Sequence, residues 1–214
     1  MDMAERTAPK LRTLILWGVV GIIGYQIGKF VAQQGVELWP PVGVDVVIAL
    51  GTAAIYVLLG GFILGMRYIP SFRRATTSAE DAEDIEDNPL LFALQAISAI
   101  GWGVGLAGLA LASVGGPLSP ATGLVICLIG MGVGTWTYIR SLPMLDELYR
   151  AATLEAAAIT YAMVFAIGGG WAGLAHLGFV AAPSMLAVVT LFWILALLGT
   201  VLASARRGML EDQD

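Results

Sequence analysis

The chain has 214 residues, 58% of them hydrophobic and only 13% charged, with a net charge of −5 and a mean hydropathy of +0.83. Soluble domains average about 25% charged residues, so there is too little polar surface to cover a water-soluble globule, and no basic surface that would suit nucleic acid. One cysteine, Cys127, excludes an intramolecular disulfide, and a single histidine, His176, argues against a His-rich metal centre or a Ser-His-Asp triad.

A helix crosses roughly 30 Å of hydrocarbon with about 20 mostly apolar residues at 1.5 Å per residue. Six segments meet that requirement, at about 11–32, 44–66, 90–114, 121–139, 154–177 and 184–205, and none has Asp or Glu in its middle third. The expected fold is all-α: one membrane domain over residues 1–214, with six transmembrane helices arranged as three hairpins. The first span has the basic start of a signal peptide. It is long for a signal h-region, however, and no A-x-A-like site follows it, so retention is expected.

The connections alternate in character along the chain. AQQGVELWPPVGVD, GGPLSP and GFVAAP are rich in Gly and Pro and poor in cations. The N-terminus (Arg6, Lys10, Arg12), the loop 67–89 (Arg67, Arg73, Arg74), the loop after the fourth span (Arg140, Arg150) and the C-terminus (Arg206, Arg207) hold ten of the eleven Lys and Arg residues. Lys29 is the exception, at the far end of the first span, where its stem can snorkel to the headgroups. The positive-inside rule puts both termini in the cytoplasm.

Within the first and third spans the strongest polar side chains are Gln26 and Gln95, whose expected role is hydrogen bonding between helices. Ser98, Thr135, Thr137, Thr160, Thr190 and Thr200 are expected to satisfy themselves on their own helix carbonyls. The loop 67–89 turns from basic to acidic (Glu80, Asp81, Glu83, Asp84, Glu86, Asp87), which reads as a solvated, self-repelling linker. Asp87 or Asn88 before Pro89 suits the cap and first turn of the third span. His176, near the external end of the fifth span, reads as an interfacial side chain; ligation of a pigment or haem is the alternative. No metal site and no catalytic residues are expected, and no cofactor is implied beyond that alternative.

Glycine is the commonest signature inside the spans. The pairs Gly24 and Gly28, Gly61 and Gly65, Gly101 and Gly105, Gly130 and Gly134, and Gly169 and Gly173 place G-x-x-x-G in five of the six. Small residues four apart share a helix face and let another backbone come close. Gly103-x-Gly105-x-x-Gly108 also has the spacing of a dinucleotide turn, but that motif needs a preceding strand and a helix start. Here it lies inside an apolar helix. Gly168-Gly169-Gly170 is the place where a helix break around a solute would fall.

After Pro143 a helix is expected to restart near Leu145, with Asp146 and Glu147 both able to pair with Arg150 on one face. Glu155 follows where the helix enters the membrane interface, facing either water or an Arg from a neighbouring loop. The stretch Asp146-Glu147-Leu148-Tyr149-Arg150-Ala151-Ala152-Thr153-Leu154-Glu155-Ala156 resembles a D-E-x-x-R-x-x-x-x-E-A element of uncharacterised small multi-span bacterial inner-membrane proteins. The resemblance spans roughly residues 138–207 and has no counterpart for the first two spans. It implies a bacterial inner-membrane location and no activity.

Taken together, these features lead to the expectation of a non-catalytic scaffold, accessory or regulatory subunit of a larger membrane complex. Its partners would be the bilayer and either other membrane subunits or further copies of itself. The competing expectation is a small transporter or channel for an apolar or weakly polar solute, with Gln26, Gln95 and the glycines of the fifth span along its path.

Overall fold

A computed structural model describes residues 43–113 and 116–208; the first predicted span, with Gln26, Gly24 and Gly28, lies outside the described residues. Within them the chain is helical, without a strand. The helices are α1 (Val44–Tyr68), α2 (Pro70–Thr76), α3 (Ala79–Asp87), α4 (Pro89–Leu111), α5 (Pro120–Ser141), α6 (Glu147–Met163), α7 (Gly170–His176) and α8 (Met185–Arg206). A short 3-10 turn (Leu142–Met144) leaves α5, and a π-helical stretch (Val164–Gly169) joins α6 to α7 into one continuous rod. Among the described residues, five helices are long and apolar enough to cross a membrane: α1, α4, α5 with its 3-10 turn, the α6–α7 rod, and α8.

The boundaries follow from local chemistry. Pro89 and Pro120 occupy first turns, where a missing N–H costs nothing. Ser119, Asp146 and Ser184 accept hydrogen bonds from the backbone N–H groups of Thr122 (3.1 Å), Tyr149 (2.7 Å) and Ala187 (3.1 Å), satisfying donors that the helix leaves orphaned. The α7 end closes on Gly178 at φ 81°, a left-handed conformation that favours glycine, and the N–H of Phe179 reaches the carbonyl of Leu174 at 3.0 Å.

Three sequence expectations change. The loop 67–89 is not an extended linker: its residues form α2 and α3, folded against the adjacent ends of α1 and α4. The reason is packing that composition did not reveal. Phe72 lies edge-on to Phe62 with ring centroids 5.4 Å apart, Ile85 is buried, and the buried Arg73 guanidinium pairs with Glu86. The glycine triplet at 168–170 does not break its helix either; the chain widens into a π turn and continues. Finally, Asp146 is spent as the α6 cap, and among the described residues neither it nor Glu147 forms an ion pair with Arg150.

In order of contact the spans run α5, α4, α1, α8 and α6. α4 packs on α5, and α6 on α8. They are linked through α1 and α8, which run parallel side by side. Ser184 at the start of α8 donates to Asp45 at the start of α1 (2.5 Å), and the Tyr56 hydroxyl donates to the carbonyl of Trp193 (2.9 Å). Their common core is Val46, Ala49 and Ala53 of α1 with Leu106 and Ala110 of α4, against which Leu186, Val189 and Trp193 of α8 pack.

Candidate functional site

The four G-x-x-x-G pairs among the described residues do not share one fate. Gly101 and Gly105 of α4 face Gly130 and Gly134 of α5. A β-carbon at Gly101 would sit 2.8 Å from the carbonyl oxygen of Gly130, and one at Gly130 would sit 2.5 Å from the oxygen of Gly101. These are backbone-on-backbone contacts, which only hydrogen in place of a side chain permits. The position of Gly105 is less tight, with its nearest neighbours at 3.3 Å, and Gly134 lies under the Trp102 indole. Gly65 packs on Phe72, whereas Gly61 has nothing within 4 Å among the described residues. Gly169 and Gly173 are also open, as is Gly170 between them.

That bare glycine face is set among large apolar side chains. Tyr161 and Phe165, about two turns and one turn earlier, are 75% and 74% exposed, and Leu174 and Leu177 project beyond it. On the same rod the α8-facing side is closed: Gly199 of α8 meets Thr160, whose hydroxyl lies 3.4 Å from the carbonyl of Leu195. The rod therefore has one side occupied by α8 and one side fit for close approach and unmet among the described residues.

The basic end of the bundle collects the charged element. Glu155 of α6 receives Arg207 Nε at 2.8 Å and Arg206 Nη1 at 3.3 Å, so the end of α8 clamps the acid at the interface. Arg67 stacks over Tyr68 and Arg140 over Trp136, with guanidinium carbons 4.7 and 5.5 Å from the ring centroids. Asp146, Glu147 and Arg150 are exposed at the start of α6. At the α2–α3 elbow, the Nε of Arg73 has no partner among the described residues although Glu86 pairs with the same guanidinium.

The remaining polar residues are dispersed. Gln95 is half-buried six residues into α4, near the basic end, and His176 is exposed as the last residue of α7 at the opposite end. Thr137, Thr190 and Thr200 donate to carbonyls on their own helices at 2.8–2.9 Å. Thr160 reaches across to α8 instead, Thr135 accepts from the Trp102 indole at 3.3 Å, and Ser98 is buried without a hydrogen-bond partner among the described residues. Among the described residues no three His, Cys, Asp or Glu side chains converge in a metal-sized group.

Two couplings had little sequence signal. Asp45 and Ser184 are 139 positions apart, and the one signal that could have pointed to Ser184 is its place just ahead of an apolar run, where a helix cap falls. The pair Arg73–Glu86 was hidden within alternating blocks of charge. No family model matches the chain, and neither a curated protein nor a solved structure matches it.

Proposed function

We propose that this chain is a non-catalytic subunit of a larger assembly in a bacterial inner membrane, with six spans and both termini cytoplasmic, where it scaffolds or regulates its partners. The observation that carries the reading is the open face of Gly169, Gly170 and Gly173 on the α6–α7 rod. Helices gain no hydrophobic drive from associating in lipid, so close packing on small residues is what joins them. A helix face with that property, left open beside exposed Tyr161 and Phe165, suits a helix from another subunit. The charged groups at the basic end would lie in the cytoplasm and stay available to a soluble portion of the same assembly.

The second reading, a carrier or channel for an apolar or weakly polar solute, draws support from the π turn at Val164–Gly169, since such turns recur at functional sites. Purification from native membranes in mild detergent separates the two. The scaffold reading expects stoichiometric membrane partners, lost on Gly173→Leu while the chain stays folded. A lone, monodisperse chain that moves a solute in liposomes would overturn it.

A further inference from the structure

Between α1 and α4 the chain passes through α2 and α3, an elbow jointed by a few non-helical residues: Ile69, Thr77 with Ser78, and Asn88. The backbone at Ile69 and Thr77 is extended, with φ −117° and −122°, and a few residues of this kind are enough for a hinge to absorb a change of direction. The elbow holds the adjacent ends of α1 and α4 more lightly than the spans hold one another. Its apolar grip is Phe72, which packs on Phe62 and on Gly65, where a β-carbon would lie 3.2 Å from the Phe72 ring, together with the buried Ile85 of α3. Among the described residues its charged grip is the ion pair between Arg73 of α2 and Glu86 of α3.

The two partners are unequally placed. Arg73 is 8% exposed, whereas the Glu86 side chain is 61% exposed. A guanidinium does not shed its proton in a protein, so Arg73 keeps its charge where little water reaches it. Its Nε has no partner among the described residues, which leaves Glu86 as the counter-charge on which the buried cation depends. Removing one member of such a pair strands the other as an uncompensated charge. The hinges give Arg73 an escape from that state, because lifting α2 returns the guanidinium to water. We propose that the elbow is an electrostatic latch: α2 and α3 stay docked while Glu86 bears its charge against Arg73, and loss of that one charge lets the two helices swing away as a unit. Glu83 and Asp87, exposed on the same short helix and unpaired among the described residues, take no part in it. Opening uncovers Phe62, Phe72 and Ile85 together, an apolar patch at the basic end of the bundle.

Hydrogen–deuterium exchange of the full chain in detergent, read by mass spectrometry, tests this. In the unmodified chain, peptides covering 70–76 and 79–87 should exchange together and ahead of those from α4 and α5; independent exchange of the two would overturn the latch. Glu86→Gln should speed exchange across both peptides by about tenfold, less than a fully buried pair would give because Glu86 is largely exposed, while α4 and α5 keep their protection. Glu83→Gln and Asp87→Asn relieve repulsion along α3 and should leave exchange unchanged or slower. In an Arg73→Met background no buried cation remains, so adding Glu86→Gln should make no difference. Unchanged exchange in Glu86→Gln, an equal rise in Glu83→Gln, or the same rise in the Arg73→Met background would overturn the proposal, since the acid would then act without the arginine. A rise spread equally through α4 and α5 would do so too, because the whole bundle rather than the elbow would have opened. If Glu86→Gln does not accumulate as folded protein, joint exchange of the two helices in the unmodified chain still decides the case.

Discussion

Gly130→Ala is the sharpest test of the fold, because α5 carries its own control two residues away. A methyl at Gly130 would meet the carbonyl oxygen of Gly101 at 2.5 Å and the amide nitrogen of Gly105 at 2.7 Å. Relaxed carbon–oxygen contacts between helices lie near 3.3–3.6 Å, so α4 and α5 must part by roughly 0.8 Å or more. Both sides of the contact are backbone, and no side chain can swing aside. Overpacking of this kind costs about 1–3 kcal/mol, while the better helix propensity of alanine returns about 0.8–1 kcal/mol. At Gly132 nothing among the described residues lies within 4 Å, so alanine there keeps the propensity gain without the clash. The difference between the two variants should therefore be about 1–3 kcal/mol, or roughly 2–10 °C in Tm. Thermal unfolding in detergent, followed by tryptophan fluorescence, measures it, since Trp102 sits in this interface 5.3 Å from Tyr138. Equal stability of Gly130→Ala and Gly132→Ala would refute direct backbone contact between α4 and α5.

Other expectations follow from contacts elsewhere. Gly105→Ala should be milder than Gly101→Ala in the same unfolding assay, because its neighbours stand at 3.3 Å and one of them is the flexible Met131 side chain. Tyr56→Phe should cost about 0.6–1.7 kcal/mol by removing the hydroxyl bonded to the carbonyl of Trp193; no loss would mean that this bond does not join α1 to α8. Ser184→Ala removes the α8 cap and the donor to Asp45 together, with an expected loss of about 1 kcal/mol or slightly more in thermal unfolding. Glu155→Gln should lower stability by less than about 1 kcal/mol, since Arg206 is largely exposed; the loss should shrink in 1 M salt, where such pairs are screened.

The sequence made the apolar spans legible because crossing hydrocarbon imposes a length and composition that no tertiary contact can waive. Spacing also marked Gly101, Gly105, Gly130 and Gly134 as one type of surface. It could not tell them from Gly169 and Gly173, which share the spacing and meet nothing among the described residues, because a motif specifies a face and not its occupant. Charge counting misjudged 67–89 for a related reason. One buried arginine paired with Glu86 and the apolar contacts of Phe72 and Ile85 accompany the folding of the segment into helices. Glu155 was recognised as needing water or an arginine; that the arginines come from the end of α8 depends on which helices lie side by side.

The order of contact α5, α4, α1, α8, α6 has a consequence for the surrounding lipid. Helices strung in a line have a longer outline in the membrane plane than the same helices closed into a ring, so more acyl chains touch the protein. In water that outline would be penalised and would collapse; in hydrocarbon it carries no such penalty. The two ends of the line differ in what they offer. At one end α5 turns Gly130 and Gly134 inward to α4, presents Leu124, Leu128 and Trp136 outward, and leaves Gly132 open among the described residues. At the other, the α6–α7 rod turns its glycines outward. Under the proposed scaffold role, a helix from a partner would gain its closest approach where Gly169 and Gly173 are open together on one face.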